Sequence, residues 1–170
     1  MTAGFPAEIR LLAPGEAGLY RDIRLEGLLW NPEAFASTFE REDAMPLAWF
    51  EERIVRGNVF GAFVDGKLLG VAGYWPREGA RENHKATLWG MYVRPSARGS
   101  GLGRRLMEAI VEHATGRVEQ LQLGVATDND AAHRLYIKTG FSEYGREMKA
   151  LKHDGRYADE ILMVRFLKRD

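Results

Sequence analysis

Three glycines at alternate positions, Gly99, Gly101 and Gly103, stand between Arg98 and Arg104. A strand-like run, Ala86 to Val93, leads into them, and a helix-like run, Leu102 to Ala114, leads out. Glycine lets a chain turn tightly and lets another group approach its backbone. The helix that follows begins with unpaired N–H groups at the positive end of its dipole. Such a turn binds anions, phosphates above all, and flanking arginines add charge-assisted donors. The chemistry open to Gly99–Arg104 is to hold the pyrophosphate of a nucleotide-like cofactor. It is not a P-loop, because no Lys-Ser or Lys-Thr pair follows Gly103. It is not the dinucleotide fingerprint G-x-G-x-x-G either, because the spacing is G-x-G-x-G and no acidic residue follows in a suitable βαβ context. A plain strand-to-helix turn, with glycines for packing, is the alternative.

A second constellation narrows the choice. It runs Asn129-Asp130-Ala131-Ala132-His133-Arg134-Leu135-Tyr136-Ile137-Lys138-Thr139-Gly140-Phe141. Arg98-x-x-Gly101-x-Gly103, followed by Asn129-x-x-Ala132-x-x-Leu135-Tyr136-x-x-x-Gly140-Phe141, resembles the GNAT superfamily of acyl-CoA-dependent N-acyltransferases. The resemblance covers almost the whole chain, since the order of elements also matches. It implies a single N-acetyltransferase domain over residues 1–170 that uses acetyl-CoA. It implies two parallel strands, 86–93 and 121–126, that splay apart around the acetyl-pantetheine arm. Met91, Tyr92 and Val93 then offer main chain to that arm, and the Met91 N–H polarises the thioester carbonyl as an oxyanion hole does. Arg98, Gly99, Ser100, Gly101, Leu102, Gly103 and Arg104 wrap the pyrophosphate. Asn129 bonds the pantetheine arm, and Tyr136 protonates the departing thiolate. On spacing alone Tyr136 could equally be a core aromatic, and Asn129 a helix N-terminal residue.

The amine side is less determined. An attacking amine is mostly protonated at neutral pH and must lose a proton first. Gly124 stands where some protein-acetylating relatives carry a Glu base, and strand 86–93 holds no carboxylate. His84, Glu82, Asp159 and Glu160 are the candidates for a base working through water. Phe35, Phe39, Trp75, Trp89 and Tyr157, with Tyr74, are candidates for an acceptor wall. A small amine or amino acid is the favoured acceptor, because the tail from Asp154 to Met163 looks like that of GNAT members acting on small amines. A protein N-terminus or lysine, a non-catalytic acyl-CoA-binding module and an unrelated nucleotide-binding protein are the alternatives. The four histidines lack metal spacing, so no metal is expected.

These residues must be positioned by a mixed α/β architecture. Ile9–Leu12 reads as a short strand, and Glu16–Leu29 as a helix. Pro32–Asp43 reads as an irregular loop. Leu47, Phe50 and Ile54 form the stripe of a second helix that Gly57-Asn58 closes. Val59–Val64 and Lys67–Trp75 form a hairpin across Asp65-Gly66. Alternation at Leu121, Leu123 and Val125 marks a strand. Thr127 or Asp128 caps the next helix, and Gly140 ends it. Phe141–Leu151 and Tyr157–Phe166 form a long final hairpin whose edge could pair with a second copy. The order β-α-α-β-β-β-α-β-α-β-β implies a mixed central sheet of six to seven strands flanked by about four helices.

The bulk numbers fit that reading. At 170 residues the chain suits one domain. Lys+Arg and Asp+Glu are 24 each, so neither nucleic acid nor an anionic membrane is the expected partner. There is no cysteine, which excludes disulfides and thiolate catalysis. The N-terminus shows no basic-then-apolar signal pattern and no apolar run spans a bilayer, so a cytoplasmic protein is expected.

Overall fold

The computed structural model describes residues 6–168; the start of the N-terminal stretch read above for a signal lies outside them. In chain order the strands and helices are β1 (Ala7–Leu11), α1 (Ala17–Trp30), α2 (Phe39–Asp43), α3 (Leu47–Arg56), β2 (Phe60–Val64), β3 (Lys67–Pro76) and β4 (Lys85–Val93). Then follow α4 (Leu102–Ala114), β5 (Gln120–Ala126), α5 (Asp130–Lys138), β6 (Ser142–His153) and β7 (Arg156–Phe166). The seven strands form one sheet in the order β1-β2-β3-β4-β5-β7-β6. Both hairpin turns carry two residues with positive φ, Asp65-Gly66 and Asp154-Gly155, the geometry that matches strand twist.

The sheet is covered on both faces. Leu102, Leu106, Met107 and Ile110 of α4 are buried at helical spacing against one face, with Ala62, Tyr74 and Leu121. Tyr20, Ile23 and Leu28 of α1, with Phe50 and Ile54 of α3, cover the other against Phe63, Val71 and Tyr92. The stretch 32–43 is more ordered than its sequence suggests. The Thr38 hydroxyl accepts from the Arg41 N–H at 3.3 Å and starts α2, making five α-helices among the described residues. Glu42 of this short helix reaches the interior and pairs with Arg24, which donates from Nε and Nη2 at 2.9 and 2.7 Å.

The centre of the sheet is where it opens. β4 and β5 pair in parallel through Lys85↔Gln120, Ala86↔Leu121 and Thr87↔Gln122, and register ends there. Along its other edge β4 breaks register with β3 between Gly73↔Trp89 and Val71↔Tyr92. Gly90 and Met91 form the bulge, and Gly90 has φ +65. The extra residue reverses the alternation of faces. Trp89 and Tyr92 pack with α1 and α3, while Leu88, Met91 and Val93 pack with α4. Strict alternation would have placed Trp89 and Met91 on one face. Gly90→Ala puts a side chain in left-handed backbone, so it should cost about 1–2 kcal/mol of stability. Urea unfolding checks this, and an unchanged midpoint would show that the bulge tolerates a side chain.

Candidate active site

Beyond Thr87 the gap between β4 and β5 is continuous with two cavities. One, of about 740 Å³, runs along Met91, Tyr92 and Val93 to Arg98, Gly99, Gly101, Leu102, Gly103 and Arg104. Gly99 and Gly101 have φ +77 and +86, so the chain turns there with carbonyls and amides re-aimed. Gly101 caps α4, whose first turn carries no acidic residue to compete for an anion. A Cβ on Gly103 would lie 3.2 Å from the Met91 Cε and 3.3 Å from Leu135, so the missing side chain lets α4 close on the sheet opening. Arg98 is held by the Val93 carbonyl and the Asn31 amide oxygen, both at 3.0 Å. Arg104 bonds Glu108 on the exposed face of α4. Ser100 turns its hydroxyl to the Ala97 carbonyl. The Tyr92 ring leaves the groove for the α1 face and donates to Glu26, so only its main chain serves the groove. Opposite, α5 contributes Arg134 and Lys138, two cations that the motif reading passed over. An amide-rich turn at a helix start, with cations on both walls, fits a pyrophosphate-bearing ligand.

The second cavity, of about 430 Å³, lies on the other side of Met91. Phe35, Met91, Ala126, Asn129 and Ala132 line both. Asn129 sits at this junction as the N-cap of α5, its Oδ1 accepting from the Ala132 N–H at 3.2 Å. Asn129, not Thr127 or Asp128, thus begins that helix. Tyr136 follows on the inward face of α5. Burial pushes its hydroxyl up to about 12, so it stays protonated through the neutral range. Gly140, at φ +89, ends the helix, and the Phe141 N–H returns to the Tyr136 carbonyl at 3.0 Å. Phe141 then meets the Tyr136 ring edge-on at 5.9 Å. Helix end and following strand together fix that ring.

Glu160 of β7 is the one carboxylate lining this cavity among the described residues. Glu160 stands in register with Ala126 of β5 and Glu147 of β6. A Cβ on Gly124 would come within 2.4 Å of a Glu160 oxygen. The carboxylate of the neighbouring strand thus fills the space over Gly124. Burial, with the nearby Glu147 charge, holds Glu160 above its ordinary carboxylate range. The other base candidates lie elsewhere. Glu82 pairs with Arg77 and Lys85, and Asp159 with Arg146. The His84 carbonyl accepts from Glu119 and Gln120 at the start of β4, and none of these residues lines the cavity.

Of the aromatic candidates, Phe35, Trp75 and Trp89 line the cavity. Phe39 and Tyr157 do not. Phe39 starts α2 and packs into the α1–α3 core. Tyr157 is 55% exposed on the final hairpin, between Lys149 and Lys152. Tyr74 is fully buried on the α4 side, its hydroxyl 2.7 Å from the His113 Nδ1. Arg24 and Arg53 complete the cavity walls; a helical stripe gives no sign that either faces inward. Among the described residues no cluster of His, Cys, Asp or Glu could hold a metal, and no helix is long and apolar enough to cross a membrane.

The model of the Acetyltransferase (GNAT) family matches residues 24–141. The N-alpha-acetyltransferase RimI of Mycobacterium tuberculosis is 33% identical over 78% of this chain and 82% of its own. The L-methionine sulfoximine/L-methionine sulfone acetyltransferase of Pseudomonas aeruginosa is 31% identical over 88% of this chain and 86% of its own. Among solved structures, yncA of Salmonella typhimurium with its cofactor acetyl-CoA shares the fold with a TM-score of 0.81. That structure is 22% identical and covers 96% of this chain and 95% of its own.

Proposed function

The chain belongs to the GNAT acetyltransferase family, and from that premise we propose that it moves an acetyl group from acetyl-CoA to the primary amine of a small molecule by direct attack. One observation carries the reading. The glycine groove and the cavity that Glu160 lines meet where β4 and β5 part, with Met91 and Asn129 on the shared wall. A thioester lying along β4 would meet an amine from the Glu160 side at that junction. A cavity of about 430 Å³ is in the range that takes a small molecule. A small amine or amino acid therefore fits better than a protein chain.

Each residue has a role in this scheme. The turn from Gly99 to Arg104 anchors the pyrophosphate, and Arg134 and Lys138 add positive charge from the far wall. The Met91 amide receives the carbonyl oxygen as negative charge develops on it. Glu160 takes the proton of the arriving ammonium, and its raised proton affinity suits that task better than an exposed carboxylate would. Tyr136, still protonated, donates to the sulfur as it leaves. Asn129 caps α5 and aligns the pantetheine arm, so its two roles coincide.

The test is a panel of small amines and amino acids incubated with acetyl-CoA and read by free-thiol release. At least one acceptor should raise thiol release far above hydrolysis. Release no faster than hydrolysis with every acceptor would leave only an acyl-CoA-binding module.

A further inference from the structure

The cavity beside Met91 holds two guanidinium groups, and they are not equivalent. Arg24 is committed. Its fork meets both oxygens of the buried Glu42 carboxylate. Arg53 has no such partner. Its charge reaches Glu42 only at a distance, and the group it hydrogen-bonds is the neutral Tyr20 hydroxyl. Its Nε is buried with no hydrogen-bond partner among the described residues. One carboxylate facing two guanidiniums leaves this end of the cavity positive.

The fold holds Arg53 in place by stacking. Its guanidinium carbon lies 4.3 Å from the Trp49 ring, 4.5 Å from Trp89 and 6.0 Å from Trp75. Trp49 sits one turn earlier on α3, while Trp75 and Trp89 stand on β3 and β4 with rings 5.5 Å apart. The cage is built into the backbone. A Cβ on Gly57 would lie 2.6 Å from the Trp89 ring, and one on Gly73 3.1 Å from its Nε1. Stacking engages the faces of a guanidinium and leaves the donors in its plane. A buried donor without a partner is costly unless something fills it. The planar acceptor that matches the fork of a guanidinium is a carboxylate. Glu160 lines the same cavity, an anion suited to an ammonium.

We infer that Arg53 is the carboxylate anchor of the acceptor site and that the acceptor is a free amino acid, held as its zwitterion between Arg53 and Glu160. The inference rests on the reading that the acceptor occupies this cavity. Trp75 and Trp89, which line the cavity, then face the amino acid's side chain, which favours apolar ones.

The experiment compares amino acids with their decarboxylated amines: L-leucine with isoamylamine, L-methionine with 3-(methylthio)propylamine, and L-phenylalanine with phenethylamine. The native enzyme should prefer the acid of the best pair by about 100-fold in kcat/KM, the scale of a charge-assisted bidentate contact. Arg53→Gln should collapse that preference to within a few-fold, mainly through KM. Arg53→Lys should restore part of it, since it keeps the charge and loses the fork. Equal use of acid and amine by the native enzyme would overturn the inference, as would equal slowing of both by Arg53→Gln. Indole fluorescence supplies a readout that needs no turnover. With CoA bound, L-leucine, L-methionine or L-phenylalanine should give a saturable change that the matching amine does not, and Arg53→Gln should abolish it. If no acceptor releases thiol, the proposed reaction fails, yet this titration still decides for or against the anchor.

Discussion

Tyr136→Phe should lower kcat by about 100-fold, at the low end of what general acid catalysis contributes, while acetyl-CoA affinity changes little. The substitution removes one oxygen and leaves the ring that packs edge-on against Phe141. The α5–β6 junction therefore survives, and a loss of turnover is not a loss of fold. The size of the effect follows from proton affinities. Burial places the Tyr136 hydroxyl at about 12, whereas an alkyl thiol titrates near 8.5. Full transfer to a free thiolate is uphill. In the proposed mechanism Tyr136 supplies a strong donor to sulfur in the transition state, as charge accumulates there. The raised value also gives a sign. Tyr136 does not ionise in the working range, so it adds no alkaline fall in kcat near neutrality. Thiol-release kinetics with calorimetric titration of acetyl-CoA separates the two quantities. An unchanged kcat would remove Tyr136 from the chemistry, and an equal loss of affinity would make it a binding residue.

The two halves of this site were unequally legible in the sequence. The groove was readable because its parts are contiguous. Gly99, Gly101 and Gly103 shape one turn, and Asn129, Tyr136 and Gly140 mark the start, inward face and end of one helix. Local spacing carries such information. The acceptor side is assembled across strands and helices, where spacing says little. Glu160 stands over Gly124 only through the β5–β7 register, so the sequence offers it as one of four candidates and does not single it out. Trp89 and Met91 look like same-face residues until the bulge at Gly90 separates them. Arg53 reads as an ordinary helix charge until the indoles of β3 and β4 close around it. Phe39 and Tyr157 drew notice as aromatics near the right segments. The first belongs to a helix nucleated by Thr38, and the second to an exposed hairpin tip.

Glu160→Gln should reduce kcat/KM by about 100- to 1,000-fold at neutral pH, within the range of a positioned base. Glutamine keeps the volume above Gly124 and accepts no proton, so packing around β5 and β7 is preserved. The pH profile identifies the role. In the proposed role the ionised carboxylate is the active form, and burial beside Glu147 raises its proton affinity. Activity should therefore fall as pH drops through a value above that of an ordinary glutamate, near 4.3. In the glutamine variant that acid limb should disappear. Only the neutral amine can then attack, so the residual rate should climb with pH as the free-amine fraction climbs. At high pH the variant should approach the native enzyme. A structural role predicts a uniform loss at every pH and a lowered unfolding midpoint. Moving the carboxylate is the stronger test. With Glu160→Ala clearing the space, Gly124→Glu should recover part of the lost rate, because a side chain from residue 124 enters the volume the Glu160 carboxylate fills. A double variant no better than Glu160→Ala alone, together with an unshifted profile in Glu160→Gln, would assign the proton to another acceptor.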